Sequence, residues 1–434
     1  SVMGAQHLDA RGRPLVVVTG LGVVTALGRG VDTNWEAMKA GRSGLRKIER
    51  FCTEGLNSNV AGCVDFMGVA PYSAYELSRA MASAAATEAI EQANIGHAGA
   101  FPGPLFIATP PSELEWPQLQ SVFKKSDGGE FQNAYRNMAA AVRKAENRRR
   151  FEYLADHARF ATLADRLADA FGTRGQPISV CTACASGVTS VQLGLETIRR
   201  GETDAALCMG VDATVHPEGL VRFALLSALS THNDPPEKAS RPFAKDRNGF
   251  VIAEGAAALV LESYDAAKAR GAQILGVVRG CGERADTFHR TRSKPDGSAI
   301  IGAMVKALDD ACLGPEAIDY VNAHGTGTPE NDKMEYQSLK AVFGDAIHSI
   351  PVSSNKSMIG HTLIAAGGVE AVFSVKTLMT GVLPPTMNYD LPDPAIPLDV
   401  VANKSRPAKV GAVLSNSFGF GGQNVCAVFS AEPA

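Results

Sequence analysis

Long hydrophobic runs are missing from this sequence. None of its 434 residues belongs to an uninterrupted apolar stretch of about 18 or more, the length a helix needs to cross a bilayer, so no membrane span is expected. The opening segment, Ser1 to Arg13, is polar and mixed and lacks the apolar centre of a signal peptide; it reads as a tail outside the fold. An excess of either charge is missing as well. Charged residues make up 20% and the formal net charge is -3, which gives no electrostatic case for nucleic acid as a partner. No Walker sequence occurs, and the glycine-rich stretch near the C-terminus has no matching acidic residue, so a nucleotide fingerprint is absent. Cys181 and Cys184 have the spacing of a redox or zinc pair, but no second CxxC or close His pair completes a site. No metal and no cofactor are expected. The other cysteines are Cys52, Cys63, Cys208, Cys281, Cys312 and Cys426. Most of the eight lie within or beside apolar runs, as reduced, buried thiols of a cytoplasmic protein would.

What is present is core material. Hydrophobic residues make up 45%, enough for two or three domains or two fused halves. Leu15–Thr19, ended by Gly20, reads as a buried strand of a parallel sheet, and Asp32 or Thr33 as the N-cap of the helix that follows. Met81–Ala93 is alanine-rich and helical, and Leu105–Thr109 is another buried strand. From Glu113 to His157 the chain turns polar and helical, an excursion outside the sheet whose charge runs suit a solvated face. Strands then alternate with helices to the end, which argues an α/β layered fold. A faint echo recurs at an offset of 180 residues, with Gly187, Thr197 and Gly201 matched by Gly367, Thr377 and Gly381. It suggests two related halves, with a shared site at the ends of equivalent strands.

Four segments carry chemistry. In Val180–Gly187 a strand runs through small residues into a helix and sets Cys184 near the helix N-terminus, where unpaired N–H groups and the dipole favour a thiolate; a buried structural cysteine is the even alternative. In Tyr320–Pro329 a strand ends at His324, and Thr326 and Thr328 offer hydroxyls to a polar substrate arm. In Ser353–His361, Lys356 and His361 fall five apart, before the small-residue helix of the second half. In Asn416–Asn424 glycines surround Phe420, a turn or a mobile gate with backbone oxyanion donors.

Together these segments resemble the β-ketoacyl-acyl-carrier-protein synthase family of the thiolase superfamily, nearest its type II elongating branch. The resemblance runs from about Arg13 to the C-terminus and includes Ala228–Thr231, Ala239–Phe243 and Asp246–Val251. It implies a thiolase-like duplicated α/β fold of five layers, α-β-α-β-α. The N-terminal half would span 14–265 with a helical insertion at about 113–157, and the C-terminal half 266–434. It implies an acyltransferase in which Cys184 takes an acyl group as a thioester and condenses it with malonyl-ACP. His324 and His361 would hold the malonyl thioester oxygen, and Lys356 and Glu370 would orient the histidines. The backbone N–H groups of Cys184 and Phe420 would form the oxyanion hole. Gly419, Gly421 and Gly422 would flank Phe420 as the gate, and Thr326 and Thr328 would touch the phosphopantetheine arm. An acyl carrier protein and a second copy of the chain are the implied partners, in the cytoplasm.

The sequence also departs from the family pattern. Gln423 stands where a Thr is usual after the gate glycines, and Ala108–Ser112 replaces a glycine-rich strand end. Ser78–Ile90 carries only Arg79 where relatives carry several basic residues, and Ser227, with Arg222 nearby, takes the place of a frequent Arg. These departures imply an unusual carrier or acyl chain, very long or specialised, with Arg148, Arg149 and Arg150 as the replacement docking surface. A polyketide-type ketosynthase remains open as the close rival. A non-catalytic chain-length partner would usually lack the nucleophile, and a thiolase would need a second active-site Cys that Cys426, inside an apolar strand, does not supply.

Overall fold

The computed structural model describes residues 7–97, 99–111, 115–126, 131–289, 292–419 and 422–432. Ten principal strands follow in chain order: β1 (Val16–Thr25), β2 (Leu105–Ala108), β3 (Ile178–Val180), β4 (Ala205–Asp212), β5 (Gly255–Ser263), β6 (Gly276–Ala285), β7 (Tyr320–Asn322), β8 (Pro351–Ser353), β9 (Ala412–Phe418) and β10 (Gln423–Ser430). Across the sheet they run β8-β7-β9-β10-β6-β1-β5-β4-β2-β3. The two blocks repeat one order. Numbered within its own block, each reads third, second, fourth, fifth, first from the outer edge, and the blocks meet where Val16–Val18 of β1 pairs antiparallel with Gly276–Val278 of β6. Within each block the strands are mixed, β2 with β3 and β4 parallel and β1 with β5 antiparallel.

Four helices complete the layers: α1 (Ala74–Ala93), α2 (Ser186–Arg199), α3 (Ser298–Asp310) and α4 (Ala366–Thr380). α1 covers the first block and α3 the second, while α2 and α4 pack on each other between them. The result is the five-layer α-β-α-β-α arrangement. The 180-residue echo marks the central pair, because Gly187 and Gly367 open equivalent turns of α2 and α4. A Cβ on Gly187 would lie 2.3 Å from the Gly368 nitrogen, so glycine is what lets the helices touch. α4 is apolar around most of its circumference, as a wholly buried helix should be. With its lead-in it forms the one described segment, Leu363–Thr380, long and apolar enough for a bilayer, and 78% of it is buried inside the fold.

Several local readings need correction. β1 does not stop at Gly20 but continues to Thr25. Its glycines admit α1: a Cβ on Gly22 would fall 1.8 Å from the Ala85 carbonyl oxygen, which also explains why α1 is rich in alanine. The helix at Val31–Lys39 is capped at Gly30, not Asp32 or Thr33. Glu88 of α1 supplies the capping carboxylate, accepting from Val31 N at 2.8 Å. The part of the opening segment from His7 onward is no loose tail. Arg13 donates to Asp310 at 2.7 Å and to Asp9 at 2.7 Å, fixing it to the second half. The eight cysteines form no disulfide, but only Cys184, Cys208, Cys281 and Cys426 are buried; Cys52 and Cys181 are exposed.

The polar excursion folds into three helices, Trp116–Lys125, Phe131–Arg143 and Ala145–Ala158, around Val122, Phe151 and Leu154. Glu115 pins this cap to α1 by accepting from Ala74 N at 3.0 Å, and the ring of His157 stacks on Tyr75 at 4.4 Å. Trp116 N donates to Glu218 at 2.9 Å, tying the cap to the helix Pro217–Leu225.

Candidate active site

The site forms where the two blocks face each other at their strand ends. β3 leaves the sheet, and Ala183 takes φ +52, a left-handed conformation that costs a non-glycine residue about 1–2 kcal/mol. The Ser186 hydroxyl holds this elbow, accepting from Thr182 N and donating to the Ala183 carbonyl, both at 2.6 Å. Cys184 therefore stands one residue ahead of the α2 N-cap, Ala185, where the helix dipole favours negative charge. Its side chain is buried, yet it lines a cleft of about 290 Å³.

His324 follows β7, and His361 follows the short helix Lys356–Ile359. Their rings meet edge to face, with centroids 5.3 Å apart. The Leu363 N–H donates to His361 Nδ1 at 3.2 Å. That fixes the proton on Nε2, which is buried and has no hydrogen-bond partner among the described residues. The Lys356 ammonium, which can only donate, lies 3.5 Å from His324 Nδ1 and sets the same tautomer there. Burial and the Lys356 charge push both imidazoles well below their ordinary value, with His361 adding to the effect on His324. Both rings are thus neutral, each with an N–H at Nε2. Lys356 also forms a buried ion pair with Glu370. Burial pushes the Glu370 carboxyl up to about 7, against the pull of Lys356.

A contact chain joins these groups to the cysteine. The Phe418 ring lies 5.5 Å from that of His324. A Cβ on Gly419 would sit 3.3 Å from the Thr182 carbonyl oxygen and 3.4 Å from the Ala183 Cβ, against the elbow. Leu363 and Ile364, just past His361, line the Cys184 cleft. Gly422 lies against Asp286; Phe420 and Gly421 are outside the described residues.

A second cleft, of about 380 Å³, is lined by His324, Thr326, Thr328, Phe418, Gly419 and Gly422, with Ser227 at its wall. Thr326 and Thr328 share a hydrogen bond at 2.9 Å, and Thr328 caps the helix Pro329–Phe343 by accepting from Asn331 N at 3.3 Å. Arg148, Arg149 and Arg150 stand exposed on the last cap helix and line neither cleft. Arg222 lines the Cys184 cleft.

Two carboxylates escaped the sequence reading. Glu335 accepts from His324 N at 2.9 Å, Gly325 N at 2.8 Å and Asn416 Nδ2 at 3.1 Å, so it fixes the backbone that carries the histidine. Burial pushes it up to about 7, with those donors opposing. Asp332, one turn earlier, accepts from Gly327 N at 3.2 Å and Phe243 N at 2.8 Å. Among the described residues no group of three His, Cys, Asp or Glu could hold a metal ion.

Comparison with known proteins gives the family. Residues 111–267 match the model of the β-ketoacyl synthase N-terminal domain, and 275–390 that of the C-terminal domain. The chain is 35% identical over 421 residues to 3-oxoacyl-[acyl-carrier-protein] synthase 2 of Coxiella burnetii, covering 96% of this chain and 98% of that one. It is 36% identical over 432 residues to the tetracenomycin polyketide synthase ketoacyl synthase alpha subunit of Streptomyces glaucescens, covering 98% of each. Among solved structures, a type II polyketide synthase acyl-carrier protein in complex with its ketosynthase bound to the hexaketide aligns with a TM-score of 0.83 and 30% identity over 97% of this chain and all 100% of that one. A β-ketoacyl synthase from Burkholderia phymatum aligns at 0.80 and 32%, again covering 97% of this chain and 100% of the other.

Proposed function

Because the chain belongs to the β-ketoacyl synthase family, we propose that it catalyses decarboxylative Claisen condensation, joining an acyl group held by Cys184 to a malonyl unit on acyl carrier protein. The Cys184 thiolate attacks the acyl-ACP thioester, and the phosphopantetheine thiol leaves. Malonyl-ACP then enters by the second cleft, its pantetheine arm passing Thr326 and Thr328. The Nε2–H groups of His324 and His361 donate to the malonyl thioester oxygen. The carboxylate C–C bond breaks, CO2 departs, and its electron pair forms the enolate those donors stabilise. The α-carbon attacks the acyl-Cys carbonyl, the thiolate leaves, and a β-ketoacyl-ACP two carbons longer results. Backbone N–H groups of Cys184 and Phe420 hold the second oxyanion; one such donor is worth on the order of 100- to 1000-fold in rate.

One observation carries this reading: two facing imidazoles each have Nδ1 engaged, His324 by the Lys356 ammonium and His361 by the Leu363 N–H, which leaves Nε2 of each to donate. Protonated rings would donate as well, but neutral ones need no proton uptake and no buried counter-ion. Cys184→Ala tests it. With acyl-ACP and malonyl-ACP supplied, mass spectrometry should find no elongated product; condensation at the wild-type rate would overturn the proposal.

The active unit is a homodimer in the cytoplasm. β3 supports the first point as the outermost strand of its block, with Ile178 46% exposed; eight cysteines without a disulfide support the second. The carrier docks on the cap at Arg148, Arg149 and Arg150, whose exposed charges suit an acidic partner. Reversing the three charges should raise KM for acyl-ACP and leave kcat in place; an unchanged KM would make them ordinary solvated charge.

A further inference from the structure

His361 is held from the opposite half of the molecule. Its N–H donates to the Val251 carbonyl at 2.7 Å, and its own carbonyl accepts from Ala253 N at 3.0 Å. Val251 and Ala253 lie just ahead of β5, in the first block. Two residues past the histidine, Leu363 takes φ +53, a left-handed conformation disfavoured for any residue with a Cβ. Leu363 carries the N–H that meets His361 Nδ1. The single turn Leu363–Ala365 then leads into α4.

Asp212 closes this arrangement. It is the last residue of β4 and is 1% exposed. Its two carboxylate oxygens serve different segments. Oδ1 accepts from Thr214 N at 3.0 Å and from the Thr214 hydroxyl, while Oδ2 accepts from Ile364 N at 3.2 Å, across the boundary between the halves. Ile364 directly follows the left-handed residue. Leu363 is therefore tied to the first block on both sides, through Val251 and Ala253 at His361 and through Asp212 at Ile364. A non-glycine residue stays in the left-handed region only where its surroundings over-determine it. An acid is also a costly way to end a buried strand: burial pushes Asp212 up to about 7, against the pull of its donors. An apolar residue would avoid that cost and leave the Ile364 N–H, in the first turn of its helix, without an acceptor.

Resting on the condensation reading above, we propose that Asp212 is a positioning residue for His361: by fixing Ile364 it keeps the Leu363 N–H on Nδ1 and so keeps the ring proton on Nε2. Without Asp212, Leu363 can leave the left-handed region, and its N–H turns away from the imidazole. Nδ1 then competes for the proton, and Nε2 becomes an acceptor in part of the population. The action is indirect, through the backbone of Ile364. The two histidines are thus held from both blocks: Glu335 fixes His324 from within the second, and Asp212 fixes His361 from the first.

The test uses the full chain and reads the two half-reactions apart. Acylation of Cys184 by acyl-ACP is timed by intact mass, CO2 release from malonyl-ACP is timed separately, and 15N NMR reports the His361 ring tautomer. In Asp212→Ala, CO2 release should slow by at least about 10-fold more than acylation does. The His361 signals should move from a single Nε2–H tautomer toward a mixture. Asp212→Asn keeps the shape but offers one acceptor oxygen to two sites, so it should move both readouts the same way by a smaller factor; it serves if the alanine variant does not fold. Equal slowing of both half-reactions would overturn the proposal and leave Asp212 as a wall of the Cys184 cleft. So would a wild-type tautomer in a folded variant. Failure of the condensation reading looks different: the wild-type protein itself would neither take an acyl group on Cys184 nor release CO2.

Discussion

Replacing Lys356 with methionine separates what the buried ion pair does for stability from what it does for catalysis. The Lys356 and Glu370 side chains are each 2% exposed, and methionine keeps most of the apolar stem while removing the ammonium. Breaking a buried pair from one side costs about 3–5 kcal/mol. Glu370 already has its carboxyl raised to about 7 by burial, and it rises further without the cation. A carboxyl with a raised folded pKa binds more protons folded than unfolded, so stability falls as pH rises through that pKa. Lys356→Met should therefore cost more at pH 8 than at pH 6. Adding Glu370→Met removes the orphaned charge and should recover most of the loss. Catalysis should not recover with it. In both variants His324 Nδ1 has lost the ammonium that faces it, so part of the population carries the proton on Nδ1 and leaves Nε2 as an acceptor facing the substrate oxygen. Since one oxyanion donor is worth about 100- to 1000-fold, even partial loss should slow condensation by at least about 10-fold in the single and the double variant alike. Urea titrations at the two pH values give the stabilities, and initial rates at saturating acyl-ACP give the catalysis. If the double variant regains both stability and rate, Lys356 is only a structural partner and the tautomer argument fails.

Three further outcomes follow from the same geometry. The folded pKa of His324 and of His361 lies below the ordinary 6.5, so the stability they contribute is present above that pH and is lost as pH falls below it; their ring NMR signals should not titrate between about pH 6 and 8, and a midpoint near 6.5 would refute the neutral-donor assignment. Glu335→Gln replaces a carboxylate that accepts three N–H groups with an amide that must turn its own NH2 toward one of them; it should cost about 1–3 kcal/mol and lower kcat, and wild-type kcat would mean that the His324 backbone holds itself in place. Gly187→Ala would set a Cβ 2.3 Å from the Gly368 nitrogen; overpacking there should cost about 1–3 kcal/mol, and an unchanged melting temperature would show that the two helices part easily.

The sequence is legible where the chemistry is local. The Cys184 elbow shows itself because a β-rich run, five small residues and a helical stretch follow one another directly. The same holds for His324 and His361, each at the end of a short strand or helix with glycine beside it. Reading failed where a residue answers to a distant one. Gly20 looks like a strand terminator, yet its missing side chain makes room for the alanine face of α1, dozens of residues away in sequence. Asp32 and Thr33 look like helix caps, but Glu88 of α1 already meets the free Val31 N–H, so neither is needed there. Arg13 looks like tail and is fastened by Asp310, a partner no local pattern can reveal.

Glu335 shows how such a residue could have been found. The helix Pro329–Phe343 begins directly after the His324 loop, so its inner face must lie under that loop. On that face the fully buried positions include Asp332 and Glu335, spaced i, i+3, beside Leu339 and Phe343. An acid in line with the apolar residues of a helix is a contradiction unless backbone N–H groups wait for it. The His-Gly-Thr-Gly-Thr turn supplies them, because a chain that leaves a strand through two positive-φ glycines has N–H groups that no sheet or helix can pair. The acids and the turn are therefore one device: the loop needs acceptors to hold its shape, and the buried carboxylates need its donors to be tolerated. The His324 imidazole is positioned by that exchange, which is why a change at Glu335 should reach the proposed catalysis although its side chain touches no substrate.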